Sequence, residues 1–137
     1  MKLENQLNIN NMKKQLRDVE EFHVKFLQEM QSEPSLLSLE ESRLRFKLME
    51  EENEEYLEAA KNDDIVEIAD ALGDQLYILC GTILKHGLQH KIEEVFDLIH
   101  SNNMAKLGPD GKPIFREDGK IIKPKGFKKV ELKTLFQ

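Results

Sequence analysis

The sequence has few of the residues that several classes of protein depend on. Its 137 residues include no tryptophan and one cysteine, Cys80, which excludes an internal disulfide framework and a Cys-based zinc site. No long apolar run is present, and residues 1–5 lack the apolar core of a signal peptide. We therefore expect no membrane partner and a cytoplasmic location. The net charge of −6 also argues against a nucleic-acid partner.

Hydrophobic and charged residues are present in the proportions of a soluble globular chain, 39% and 34%. The length predicts a single domain over residues 1–137. Charge is distributed unevenly, because residues 101–137 carry +5 and the remainder −11. An acidic body with a basic tail would suit a site for a cation and a polyphosphate, although such asymmetry is also common by chance.

The spacing of apolar residues predicts an all-α body of four helices. They cover about 11–31, 38–61, 64–87 and 89–106, so the helical body spans about 11–107. Ser38 with Glu41 forms a capping box, and Gly87 is a natural residue to follow a helix end. In the basic tail, about 108–137, Asp118-Gly119 between two short apolar segments predicts a short β-hairpin.

The second helix places carboxylates where core residues are expected. At about 100° per residue, Glu55 falls about 20° from Leu44, inside the apolar stripe, with Glu51 and Glu52 at its edges. A solvated acidic face is the simpler interpretation of most glutamate runs. A carboxylate pressed into an apolar stripe, however, costs several kcal/mol unless it is paired or bound to a metal.

The third helix carries a matching row of acids, and no lysine or arginine of either helix stands opposite them in phase. Glu67, Asp70 and Asp74 lie within about 60° of one another on an otherwise apolar helix. Carboxylates that converge in this way predict a divalent cation, and all-oxygen ligation favours Mg²⁺, with Mn²⁺ as a substitute. A di-iron bundle needs two Glu-x-x-His motifs, and only Glu20-x-x-His23 is present.

Four ordered blocks of the sequence then resemble a known family. Glu51-Glu52-x-x-Glu55 and Glu67-x-x-Asp70 are similar to the EExxE and ExxD signature of the all-α nucleotide pyrophosphohydrolases, the MazG-like and phosphoribosyl-ATP pyrophosphohydrolase-like superfamily. The other two blocks are Glu21-Phe22-His23 and the stretch from Asn103 through Lys106 to Lys112. The spacer between the two signature halves is short. The favoured alignment uses Glu67 and Asp70, with Asp74 adding to the same face, and a second alignment makes Asp74 the final ligand.

The resemblance implies a four-helix bundle completed as a homodimer or a dimer of dimers. It also implies Mg²⁺-dependent hydrolysis of a nucleoside triphosphate between its α and β phosphates, which gives a monophosphate and pyrophosphate and could remove non-standard nucleotides. The metal ligands would come from six acids: Glu51, Glu52, Glu55, Glu67, Asp70 and Asp74. Glu52 or Glu55 would act as the general base.

Residues outside the acidic helices are candidates for binding the nucleotide. The substrate-binding candidates are Phe22, His23, Asn103, Lys106, Lys112 and Arg116. Phe22 also fits the apolar stripe of its helix, and the lysine and arginine could be ordinary surface cations. Two alternatives stay open: an enzyme of the same superfamily specific for phosphoribosyl-ATP, dUTP or dCTP, and a non-catalytic helical protein that binds metal or a partner.

Overall fold

A computed structural model describes residues 12–137 and confirms the all-α class. It contains α1 (Met12–Lys25), α2 (Leu39–Lys61), α3 (Ile65–Lys85), α4 (Ile92–Met104) and a short 3₁₀ helix (Leu132–Phe136). These residues form two compact units, the first ending at His90 and the second beginning at Lys91. None of the described helices is long and apolar enough to cross a membrane. The expectation of a single domain over 1–137 stays a prediction.

Helices α2 and α3 begin at the residues that the sequence indicates. Ser38 Oγ accepts a hydrogen bond from the Glu41 N–H at 3.1 Å, which confirms half of the capping box. Asp64 Oδ1 accepts from the N–H groups of Val66 and Glu67, both at 3.1 Å. Only residues 62–64 join the two helices, so α2 and α3 pack side by side as an antiparallel pair.

Helix α1 is shorter than predicted, because it ends at Lys25 and not near residue 31. Leu27 adopts a positive φ of 57°, and the Gln28 N–H donates to the His23 carbonyl at 2.7 Å, which closes the helix end. The chain then runs to the end of α3, where the Gln31 N–H donates to the Leu84 carbonyl at 3.1 Å. A backbone hydrogen bond to α3 therefore takes the place of the last helical turns that the sequence predicted for α1.

Helix α3 is central to the first unit, as its apolar character indicates. It packs against both α1 and α2, and its buried residues are small or aliphatic: Ala71, Cys80, Gly81, Ile83 and Leu84. Cys80 and Leu84 are fully buried, and burial raises the pKa of the Cys80 thiol above its usual range. Cys80 is thus a core residue, as expected from the sequence.

The predicted β-hairpin of the tail forms its turn but no strands. Within residues 12–137 the only β-type pairing is one antiparallel bridge between Phe115 and Ile121, around the Asp118-Gly119 turn. Gly119 has a φ of 83°, the left-handed backbone that this turn requires. Pro113 and Pro124 lack an N–H on either side of the bridge, and an isolated two-stranded ribbon is marginal by itself.

Candidate metal centre and nucleotide site

Three of the predicted acids converge between α2 and α3. One carboxylate oxygen from each of Glu52, Glu55 and Asp74 lies within 4.8 Å of the other two. Glu52 and Glu55 are one turn apart on α2, and Asp74 faces them from α3. Three oxygen donors at this separation can all bind one cation after small adjustments of their side chains.

Glu52 carries the clearest sign that a positive charge belongs in this cluster. Its Oε2 atom is buried and has no hydrogen-bond partner within the part of the chain that the structure describes, although buried carboxylate oxygens are normally satisfied. Burial, the adjacent Glu55 carboxyl and repulsion from Asp74 and Asp70 raise the pKa of Glu52 to about 7. A divalent cation would satisfy the unpaired oxygen and offset the repulsion, so the donor set fits Mg²⁺ or Mn²⁺.

The other predicted ligands lie around this cluster without joining it. Asp70 is close enough to contribute to the raised pKa of Glu52. Glu51 and Glu67 are exposed and are not among the three converging acids. Of the residues that distinguish the two alignments, Asp74 is among the converging acids, and Glu67 lies outside them. The role of each ligand stays a prediction.

A guanidinium that the sequence did not single out holds α2 against α3. Arg45 donates from Nε to Thr82 Oγ1 at 3.0 Å and from an Nη to the Ile78 carbonyl at 2.9 Å. Within the predicted stripe, Ala59 is buried, whereas Leu44 is 58% exposed and Glu55 is exposed as well. The inward face of α2 therefore includes Arg45, whose aliphatic stem can occupy a helix interface.

Gly81 leaves room for this arginine and for His23. A Cβ at Gly81 would stand 2.7 Å from an Nη of Arg45 and 3.1 Å from His23 Nε2. His23 is 4% exposed, and its buried Nδ1 has no hydrogen-bond partner among the described residues. Burial and the charges of Arg45 and Lys85 lower its pKa, so its ring is neutral at pH 7. His23 therefore has little contact with bulk solvent in this unit.

Phe22, the other α1 candidate, belongs to an aromatic cluster. Its ring stacks on Phe26 with centroids 4.4 Å apart and meets Tyr77 edge-on at 5.7 Å. Tyr77 lies one helical turn after Asp74 on α3, and Phe22 remains 39% exposed. Phe22 thus packs within its own unit and keeps an accessible face near the acid-bearing segment of α3.

The four remaining candidates belong to the second unit. The Lys106 ammonium donates to Asn103 Oδ1 at 2.9 Å, and both residues line a small cavity. Arg116 instead donates from Nε to Asp118 Oδ1 at 3.2 Å, in the tail turn. Lys112 is exposed and lies outside the cavity. Within this unit the structure therefore brings Asn103 and Lys106 together, but Arg116 has an acidic partner of its own.

Comparison with known proteins agrees with the resemblance. A family model described as phosphoribosyl-ATP pyrophosphohydrolase matches residues 19–103, more than half of the chain. The chain belongs to this family. One solved structure, a proposed NTP pyrophosphohydrolase from Exiguobacterium sp. 255-15, is 28% identical. The match covers 83% of this chain and 87% of that one, with a TM-score of 0.45. No curated protein matches the chain.

Proposed function

We propose that this member of the family is a divalent-metal-dependent nucleoside triphosphate pyrophosphohydrolase. It would cleave between the α and β phosphates and release a nucleoside monophosphate and pyrophosphate. The observation that carries the proposal is the convergence of Glu52, Glu55 and Asp74 around the unpaired, buried Glu52 Oε2. A structural role for these acids would leave that oxygen without a partner, at a cost in stability that a bound cation removes.

The three carboxylates would hold Mg²⁺ or Mn²⁺, which supplies charge neutralisation for the phosphates and a lowered pKa for a bound water. Glu55 is exposed at the edge of the cluster, where it can reach a water molecule next to the substrate. Glu52 or Glu55 would accept a proton from a water molecule whose oxygen attacks the α phosphorus, and the bond from that phosphorus to the leaving pyrophosphate would break. Arg45 acts indirectly, because its bonds to α3 fix the position of α2 and hence of both glutamates.

The family match supports a second substrate. A phosphoribosyl-ATP pyrophosphohydrolase would use the same carboxylates on a nucleotide that carries a second ribose phosphate. Both candidate reactions cleave the bond between the α and β phosphates. The two substrates differ in whether the nucleotide carries a second ribose phosphate. The exposed face of Phe22, beside Tyr77, is the surface that we assign to stacking on a base.

We also propose that the protein is a homodimer or a dimer of dimers. In the first unit, the large apolar side chains of α2 and α3 that are between 44% and 65% exposed include Leu44, Phe46, Leu57, Leu72 and Leu79. Exposed apolar residues on two adjacent helices are typical of a protomer whose core is completed by a second copy. Light scattering of the full chain would show a mass of at least twice 16.0 kDa.

The decisive experiment is a pyrophosphate-release assay with a panel of substrates. The panel contains canonical and modified nucleoside triphosphates, dUTP, dCTP and phosphoribosyl-ATP, each with Mg²⁺, with Mn²⁺ or with EDTA. Glu55→Gln serves as the inactive variant. Glu54→Gln, which makes the same charge change on the opposite, exposed side of α2, serves as its control.

Metal-dependent release that Glu55→Gln abolishes and Glu54→Gln retains would support the proposed reaction and identify the substrate. Release from phosphoribosyl-ATP alone would select the second candidate. Metal binding without release from any substrate would contradict both candidates. Absence of metal binding would favour a non-catalytic helical protein.

A further inference from the structure

The second unit contains a small basic cavity between α4 and the tail. Its volume is about 190 Å³, and its polar lining comes from two asparagines and three lysines: Asn102, Asn103, Lys106, Lys123 and Lys129. Among residues 12–137, no aspartate or glutamate lines it. Three ammonium groups without a carboxylate among them repel one another unless a bound anion offsets their charge.

None of these three lysines forms an ion pair with a carboxylate among residues 12–137. The Lys106 ammonium bonds the neutral Asn103 carboxamide at 2.9 Å. The Lys123 ammonium lies 5.6 Å from the centre of the Phe127 ring, which also lines the cavity. Both ammonium groups are therefore oriented by neutral partners, so no carboxylate competes with an anionic ligand for them among residues 12–137.

One wall of the cavity is held in place by hydrogen bonds, which a random cluster of surface lysines in the tail would lack. Asn102 is 7% exposed, and its carboxamide donates to the Val130 carbonyl at 3.2 Å. The same carboxamide accepts from the Val130 N–H at 3.0 Å. This two-bond lock joins α4 to the residue next to Lys129, so the distance between the α4 side and the tail side of the cavity is set by the fold.

We propose that this cavity binds a diphosphate group, through Lys106, Lys123 and Lys129. Its volume is below the range for whole drug-sized ligands, which favours a compact anion. The choice of diphosphate over other anions rests on the proposed function, whose leaving group is pyrophosphate. The family match ends at residue 103 and so does not reach these three lysines, although Lys106 lies in a block of sequence that resembles the family.

The test is calorimetry of the full chain with inorganic pyrophosphate, in EDTA and at low ionic strength, so that binding at the carboxylates through a metal is absent. The pocket variant is Lys123→Gln with Lys129→Gln. The control variant is Lys125→Gln with Lys128→Gln, which removes the same charge from exposed tail positions outside the cavity. Thermal melting verifies that both variants fold.

We expect the pocket variant to lose about tenfold or more in affinity for pyrophosphate, the usual effect of losing charge-assisted hydrogen bonds. The control variant should bind like the unmodified protein. Equal losses in the two variants would mean that diffuse tail charge attracts the anion, and would overturn the proposal. Absence of pyrophosphate binding by the unmodified protein would overturn it as well.

Two further titrations distinguish the source of the diphosphate. If ADP binds as tightly as pyrophosphate and inorganic phosphate binds far more weakly, the site accepts the end of a nucleotide. If pyrophosphate alone binds tightly, the site holds the free product. Glu55→Gln should bind pyrophosphate normally in EDTA even though it is inactive. Turnover therefore tests the proposed reaction, and pyrophosphate binding in EDTA tests this cavity separately.

Discussion

The side chains of Asn53 and Gln75 are joined by a hydrogen bond of 3.2 Å from Gln75 Nε2 to Asn53 Oδ1. Each residue directly adjoins one of the converging acids, since Glu52 precedes Asn53 and Asp74 precedes Gln75. The bond therefore holds α2 and α3 in the register that brings Glu52 and Asp74 together. Arg45 fixes the same register two helical turns away, through Ile78 and Thr82.

Glu55→Gln should lower metal-dependent turnover by about 100-fold or more, because a ligand and candidate base loses its charge. The fold should persist, and the melting temperature in EDTA should rise, because one of the charges that repel Glu52 is removed. Turnover and thermal melting measure the two effects. Glu54→Gln should change neither, and full activity of Glu55→Gln would contradict the site assignment.

Asp74→Asn and Glu67→Gln distinguish the two alignments of the family signature. Asp74 converges with Glu52 and Glu55, whereas Glu67 is exposed and outside that cluster. Titration with Mn²⁺ should show about tenfold or more weaker binding for Asp74→Asn, and a loss below about threefold for Glu67→Gln. The reverse order would restore Glu67 as a ligand and remove Asp74.

The local features of this fold were predictable because short stretches of sequence determine them. Ser38 and Asp64 cap α2 and α3 through side chains that accept hydrogen bonds from N–H groups no more than three residues ahead in the chain. The end of α3 at Lys85, before His86 and Gly87, depends on an equally local rule. The convergence of acids from these two helices was also predicted, since both rows are visible in helical phase.

The remaining features depend on partners that are distant in the sequence. Arg45 bonds to Thr82 across the interface of α2 and α3, whereas the apolar Leu44 stays exposed. The spacing of apolar residues along a helix does not predict that an arginine lies in its interface with another helix. Helix α1 stops early because Gln31 bonds to the Leu84 carbonyl of α3. In both cases a tertiary hydrogen bond overrides the local apolar pattern.

The stability of the metal-free protein should fall as the pH rises from about 5 to 7. The pKa of Glu52 is 4.5 when unperturbed and about 7 in the fold, so within this window the folded state binds a proton that the unfolded state lacks. The stabilising contribution is complete below the unfolded pKa and is lost as the pH passes the folded value. Thermal melting in EDTA at several pH values measures the trend.

Glu52→Gln provides the control for this pH dependence. The amide does not titrate, so its melting temperature should change less between pH 5 and 7 than that of the unmodified protein. Glu54→Gln should keep the original slope, because its carboxylate is not among the groups that raise the pKa of Glu52. An equal slope in Glu52→Gln would assign the effect to another group.

Gly87→Ala should destabilise the protein strongly. Gly87 has a φ of 67°, and a Cβ there would stand 2.0 Å from the Glu33 carbonyl oxygen, a backbone atom that cannot move without its segment. That segment is fastened to α3, since the Ser35 N–H donates to the His86 carbonyl at 2.8 Å. We expect urea unfolding to show a loss of roughly 2–4 kcal/mol in the free energy of unfolding.

Gly73→Ala makes the same substitution inside α3, where a Cβ meets no atom of the described residues within 4 Å, and should instead stabilise the protein by up to about 1 kcal/mol. Similar free energies of unfolding for the two variants would show that the contact between residue 87 and the 26–38 segment does not constrain the fold.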